Sequence, residues 1–353
     1  MNFEITSSHF KFRAHQNGLS LKGQLPVETD IVGIFGSSGS GKSTLLKAVA
    51  GIHSASFETL NIDYNQQQWQ DVNAVDRPFV IVSDKTHLFP HLDVQQNLDF
   101  VVKHGKKTSN IPYTLDDVVH WCGIKHLLQR AINALSSGEK QRIIFARALM
   151  SGKPVMLLDE VFSAIDWHSR DQFASLLRKL KRDYKMQFVM VSHSLKELAM
   201  CCDHIVWIEQ GEVVSQGPSK KLVTQISSTN NQPTLSQLSV KFDARLAQYQ
   251  LTRWQVEGTE KLLLFSHISD SDDELEYLVI DGSKVVINKE SSQSSSMVNQ
   301  LPATIQSVEQ KQNYVLITLT VNGQTILAEI SAMSQERMAL DTGQTVYAQF
   351  KVV

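Results

Sequence analysis

The first 225 residues alternate between two apolar patterns. Continuous β-branched runs at 30–35, 77–82, 155–158, 188–191 and 204–208 predict strands buried on both faces, the habit of a parallel sheet. Between them, 44–50, 138–150 and 169–184 carry apolar residues at helical spacing. This predicts an α/β domain over 1–225, with a helical part at about 84–150. At 226–236 the pattern stops. Ser227-Ser228-Thr229-Asn230-Asn231-Gln232-Pro233-Thr234 offers little to bury and reads as a linker. From 237 to 353 the alternation is that of strands, at 251–256, 261–265, 315–321 and 347–353. Glu257-Gly258 and Asn322-Gly323 read as hairpin turns, because Asn-Gly tolerates positive φ at both central residues. A serine-rich stretch at 291–296 separates two similar β units. Val256-Glu257-Gly258 is echoed by Val321-Asn322-Gly323, and Lys284-Val285-Val286 by Lys351-Val352-Val353, which predicts a duplicated small barrel.

Composition narrows the class. With 42% apolar and 20% charged residues in 353, the chain can build cores for two or three domains. Its 34 basic and 36 acidic residues give a net charge of −2, and no nucleic-acid partner is expected. No apolar run is long enough to span a membrane, and the N-terminal residues lack the basic and apolar regions of a signal peptide. Three cysteines, with Cys201 and Cys202 adjacent, make no disulfide framework. That pair reads either as helix packing or as surface thiols. The expectation is a cytoplasmic protein, free to dock on a membrane partner.

The chemistry lies in three segments. Gly36-Ser37-Ser38-Gly39-Ser40-Gly41-Lys42-Ser43 fits the G-x-x-x-x-G-K-[ST] pattern between a strand and a helix. Its glycines let backbone N–H groups turn toward a phosphate, and the helix N-terminus adds a favourable dipole. Lys42 would neutralise β/γ-phosphate charge and the Ser43 hydroxyl would ligate Mg²⁺, with Thr44 next in the nucleotide-binding helix. In Val155-Met156-Leu157-Leu158-Asp159-Glu160, a buried strand would deliver Asp159 to that metal, leaving Glu160 to polarise an attacking water. Leu135-Ser136-Ser137-Gly138-Glu139 opens a helix with a capping box at Ser136 and Glu139.

Taken in order, these segments resemble the ATP-binding-cassette ATPases. The 135–139 segment is similar to their signature motif, Leu-Ser-Gly-Gly-Gln, with Ser137 and Glu139 as departures. Ser163-Ala164-Ile165-Asp166 resembles the D-loop, His193 the switch histidine that contacts the γ-phosphate, and residues 211–217 the hairpin that follows. The resemblance implies a RecA-like core with a helical subdomain, ATP and Mg²⁺ as cofactors, Glu160 and His193 as catalytic residues, and a head-to-tail dimer. Ser136, Ser137 and Gly138 of one copy would then face the nucleotide on the other. The glutamine that usually contacts Mg²⁺ falls on Asp84, and Phe10 and Phe12 are the aromatics in reach of adenine or of a strand core.

Leu88-Phe89-Pro90-His91-Leu92-Asp93-Val94 resembles the importer form of the region that receives a permease, or is an ordinary helix start. The ending, about 291–353, is similar to a molybdate-binding Mop-type domain, an OB-like barrel. The whole chain therefore resembles the ATPase subunit of molybdate importers. This implies permease partners, an extracytoplasmic binding protein acting indirectly, and a place on the cytoplasmic face of the inner membrane. Molybdate is then a regulatory ligand of the tail through Ser295 and Ser296, or the serine run is only a flexible connection. Met297 and Gln300 stand where relatives often carry Arg and Lys. Sulfate, tungstate, iron or a sugar are the alternative substrates, and a soluble switch ATPase is the alternative class.

Overall fold

A computed structural model describes residues 10–16, 19–24, 31–52, 59–64, 67–83, 85–105, 112–164, 167–210, 212–229, 232–267, 277–291 and 294–352. The chain divides into two compact units, Met1–Gly217 and Pro218–Val353.

The first unit holds two sheets. β1 (Phe10–Gln16), β2 (Leu19–Gln24), β4 (Thr59–Tyr64) and β5 (Gln67–Gln68) form an antiparallel sheet in the order β2-β1-β4-β5. β3 (Ile31–Gly36), β6 (Phe79–Ser83), β7 (Val155–Asp159), β8 (Gln187–Ser192), β9 (His204–Glu209) and β10 (Glu212–Pro218) form the second, ordered β10-β9-β3-β8-β7-β6. β3 pairs parallel with both β8 and β9, and β7 with both β6 and β8. All six residues of β3 and all five of β7 are buried, as their continuous apolar runs predict.

α1 (Lys42–Val49), α4 (Ser137–Leu149), α5 (Trp167–Tyr184) and α6 (Leu195–Cys201) pack on this sheet, and α2 (Val94–His104) and α3 (Leu115–Trp121) pack on α4. Capping boxes start three of them, Asp93 with Gln96, Thr114 with Asp117 and Ser136 with Glu139. Arg77, expected to open a strand, lies outside β6 and is buried instead. Its guanidinium donates to the carbonyls of Ala48 and Val49 at the end of α1, and to those of Gln70 and Val72. Cys201 and Cys202 are both buried, which decides between packing and surface thiols. A Cβ on Gly33 would sit 2.8 Å from the Cys202 sulfur, so β3 needs glycine there.

The second unit opens earlier than composition predicts. α7 (Ser219–Ser227) buries Leu222, Val223 and Ile226, and β11 (Leu235–Leu246) starts in the core. Within the expected linker, Ile226, Ser227, Thr234 and Ser236 are all buried. The serine hydroxyls are the reason, since Ser227 Oγ accepts the Leu235 N–H at 2.9 Å. Then follow β12 (Leu251–Val256), β13 (Leu263–His267), β14 (Tyr277–Asp281), β15 (Val286–Asn288), β16 (Asn299–Gln310), β17 (Val315–Val321), β18 (Gln324–Ile330), α8 (Ala332–Met338) and β19 (Thr345–Phe350). The last strand ends ahead of the expected 353. The sheets are ordered β13-β12-β11-β14 and β15-β19-β16-β17-β18.

Repetition is visible, but not as two barrels. β11 and β16 each run 12 residues and each carries a bulge, at Phe242/Ala244 and Ile305/Ser307. The halves share one core, in which Leu238, Trp254 and Leu264 pack with Leu301, Ile317 and Val346. They also exchange contacts. Ser236 Oγ accepts the Leu327 N–H at 2.8 Å, and Asn299 Oδ1 accepts the Phe265 N–H at 2.7 Å. The two predicted hairpins meet, with Asn322 Nδ2 donating to the Glu257 carbonyl at 2.9 Å. Neither half could bury its apolar faces alone.

Candidate active site

The P-loop leaves the end of β3. Gly36 must be glycine, since a Cβ there would lie 2.2 Å from the Ile208 carbonyl oxygen. Gly39 and Gly41 take φ of +83° and +89°, which turns the loop back over α1. Ser37, Ser38 and Gly39 are exposed, while Ser40 and Lys42 are buried. α1 starts from Gly41, which has no side chain to cap the first N–H groups of the helix. The Lys42 ammonium donates to the carbonyls of Gly36 at 2.9 Å and Ser37 at 2.7 Å, and to Ser40 Oγ at 3.2 Å. Burial pushes its pKa down, and the charges of Glu160 and Asp159 oppose that shift. Thr44 is half-buried in the first turn of the same helix.

Ser43 and Asp159 come from distant parts of the chain and meet. The Ser43 hydroxyl donates to Asp159 Oδ1 at 2.6 Å. Asp159 closes β7, opposite Ser83 of β6, and is buried. A hydroxyl and a carboxylate side by side, next to a phosphate loop, are the hard oxygen donors that Mg²⁺ takes, and these residues fit that ion.

Glu160 follows in the left-handed region, with φ +51°, and its N–H donates to the Val191 carbonyl at 3.1 Å. Strain of this kind costs about 1–3 kcal/mol and clusters at functional sites. The turn aims Glu160 at His193, beyond β8, with Oε1 to Nδ1 at 3.5 Å and both side chains solvent-accessible. Lys42, Ser43, Asp159, Glu160 and His193 are thus gathered at the C-terminal ends of β3, β7 and β8, where open α/β sheets bind ligands.

Ser136, Ser137 and Gly138 are not brought into that cluster by hydrogen bonding. Ser136 Oγ accepts the Glu139 N–H at 3.2 Å and Glu139 Oε2 accepts the Ser136 N–H at 2.7 Å, both within the first turn of α4. The backbone N–H and hydroxyl of Ser136 hold the Glu139 carboxyl below its ordinary pKa. Ser136 and Ser137 are exposed and turned to solvent, available to another molecule. Asp84, Ile165 and Asp166 lie outside the described residues, as do the side chains of Phe10 and Phe12. In the second unit, Ser295 is half-buried and its hydroxyl accepts the Met297 N–H at 3.1 Å, while Ser296 is exposed.

Also in the first unit, a groove of about 310 Å³ is lined by Ile81, His87, Phe89, Phe100, Ile144 and Arg147 among others. Phe89 stacks near Phe100, with ring centroids 4.7 Å apart, and Arg147 lies over the Phe89 ring. Phe100 is 40% exposed, a large apolar surface left to solvent.

Comparison with known proteins gives this geometry a family. The ABC transporter model matches residues 26–163, and the TOBE domain model matches 295–353. A molybdenum import ATP-binding protein, ModC, of Pseudomonas syringae pv. tomato is 31% identical over 92% of this chain and 91% of its own. The chain belongs to the ModC family of ATP-binding-cassette proteins. ModC 1 of Azotobacter vinelandii is 30% identical over 97% of each chain. Among solved structures, a dimeric ATP-binding cassette in a post-hydrolysis state with ADP and Pi aligns with a TM-score of 0.51 at 19% identity, covering 59% of this chain and 98% of that one. A second cassette, in its ADP conformation, aligns with a TM-score of 0.52 at 17% identity, covering 64% and 96%. Both describe the fold of the first unit, a P-loop ATPase of this class.

Sequence reasoning passed over Arg170, Ser192 and Glu197, which link α5 to β8 and α6. The signal available was Ser194 followed by Glu197, which reads as an ordinary capping box.

Proposed function

We propose that this chain is the ATP-hydrolysing subunit that energises molybdate import through a membrane permease. The observation that carries the reading is the Ser43–Asp159 hydrogen bond beside buried Lys42, in a chain that matches molybdenum import ATP-binding proteins over nearly its whole length. The loop at 36–41 and the N-terminus of α1 wrap the phosphates, and the Lys42 ammonium exchanges its loop carbonyls for phosphate oxygens. Ser43 and Asp159 would hold Mg²⁺, which would supply charge neutralisation at the phosphates. Asp84 is assigned to the same ion by its place in the sequence. Glu160 accepts a proton from the attacking water, and His193 donates to the γ-phosphate.

Ser136, Ser137 and Gly138 complete the site from a second copy, arranged head to tail. The support is the exposure of Ser136 and Ser137 at a helix N-terminus, which favours an anion across an interface. ATP then binds the closed pair preferentially, and hydrolysis removes the bridge. The Phe89 and Phe100 groove is the proposed seat of the permease, with the chain on the cytoplasmic face of the inner membrane and an extracytoplasmic binding protein reached through that permease. In the tail, Ser295 and Ser296 are assigned a regulatory molybdate through their hydroxyls, without a neighbouring Arg or Lys at Met297 and Gln300.

Reconstitution with the permease of a molybdate importer tests the reading. ATP hydrolysis should require Mg²⁺ and rise when a molybdate-loaded binding protein is added. Stimulation by sulfate, iron or a sugar but not by molybdate would overturn the substrate, and hydrolysis with no permease association would favour a soluble switch ATPase.

A further inference from the structure

Behind the Glu160–His193 pair lies another carboxylate. Glu197 stands in the first turn of α6, three residues after Ser194, which caps that helix. A capping-box glutamate would fold back to the Ser194 N–H and stay near solvent. Glu197 does neither. It is 7% exposed, and its carboxylate turns into the protein. Oε2 accepts the Ser192 hydroxyl at 2.5 Å, and Oε1 pairs with Arg170 Nη1 at 2.9 Å. Ser192 Oγ in turn accepts the Ser194 N–H at 2.9 Å.

The residues on both sides of His193 are therefore fastened, through one hydroxyl, to one buried carboxylate. Arg170 fastens that carboxylate to the first turn of α5, which follows directly on residues 163–166. Burying a charge is costly unless it is paired and fully hydrogen-bonded, and Glu197 meets that condition only while Ser192 and Arg170 stay in place. The arrangement ties down the backbone on both sides of His193, at the Ser192 hydroxyl and the Ser194 N–H.

We propose that Glu197 is a positioning residue, locking the His193 loop to the start of α5 so that the two move as one body. The segment before α5 resembles the D-loop, and a shift there would be passed to His193 through Arg170, Glu197 and Ser192. The inference rests on the assignment of His193 to the γ-phosphate.

The test uses the full chain and reads kcat separately from ATP affinity. Glu197→Gln keeps the shape and removes the charge, while Ser192→Ala cuts the link to the loop and leaves the Arg170 pair intact. Each should lower kcat about tenfold or more and leave ATP affinity within about threefold, because the Lys42 loop is untouched. Combined with His193→Ala, neither should slow the enzyme by more than about twofold beyond His193→Ala alone, the non-additivity of residues acting as a unit. A folded Ser192→Ala or Glu197→Gln chain at full kcat would overturn the proposal, and so would losses that multiply with that of His193→Ala. Full activity in His193→Ala itself would remove the role of His193 and the proposal with it. A slow His193→Ala beside a full-rate Ser192→Ala would remove the proposal alone.

Discussion

Glu160 faces His193 at 3.5 Å from a backbone in the left-handed region, φ +51°. A non-glycine residue holds that conformation only where its surroundings impose it. Here the Glu160 N–H is tied to the Val191 carbonyl, two residues before His193. The strained turn and the histidine loop are therefore one construction. Glu160→Gln should keep the fold and nucleotide binding, and lower kcat by about 10²–10⁴-fold, the usual worth of a general base. Single-turnover hydrolysis beside equilibrium ATP binding checks this, and an unchanged rate would remove Glu160 as the base.

Gly36 makes a separate demand on the same loop. In Gly36→Ala the new methyl meets the Ile208 carbonyl oxygen at 2.2 Å, and backbone must move. Destabilisation of about 1–3 kcal/mol is expected, as for other overpacked sites, together with loss of ATP binding. Denaturant unfolding of the variant, with and without ATP, measures both.

Asn299 holds the second unit together. It is fully buried, accepts the Phe265 N–H, and donates to the carbonyls of Phe265 and Lys351 at 3.0 Å each. Asn299→Leu takes the side-chain partner from three backbone groups, at about 1–3 kcal/mol for each that water does not reach. The second unit should unfold well before the wild type in a thermal scan, while ATP binding by the first unit persists below that transition.

The groove at Phe89 predicts a defect confined to docking. Phe89→Asp places a charge against Phe100 and removes the ring under Arg147. Basal ATP hydrolysis should stay within about twofold of wild type, because no P-loop contact changes. Permease co-purification and transport should fall sharply. A variant that still transports normally would show that the permease sits elsewhere.

Tyr113 carries a pH signature. Its hydroxyl donates to the Leu149 carbonyl at 2.9 Å, and burial, with Tyr184 and Cys122 nearby, pushes its pKa up to about 12. A phenol whose folded pKa is raised binds its proton more tightly in the native state. Its contribution is present below the unfolded value, about 10, and is lost as pH rises toward 12. Urea midpoints measured from pH 9 to 12 should fall more steeply for wild type than for Tyr113→Phe.

Much of the first unit was legible because its signals are local. Apolar runs name the buried strands, a G-x-x-x-x-G-K-[ST] loop names its own chemistry, and Ser136 with Glu139 caps a helix in the protein as in the sequence. The Asn322-Gly323 turn is equally local, with both residues at positive φ. What stayed hidden depends on partners far along the chain. Arg77 satisfies the carbonyls at the end of α1, and Glu197 leaves its cap for Ser192 and Arg170. The polar stretch that ends α7 and follows it packs because the hydroxyls of Ser227, Ser228, Thr229 and Ser236 find backbone partners, which composition cannot report. The repeated β units merge because each buries its apolar face only against the other. Residue type and spacing therefore determined the elements and the chemistry of the phosphate loop. Only tertiary structure decided which buried polar groups pair, because that pairing is set by what distant segments leave unsatisfied.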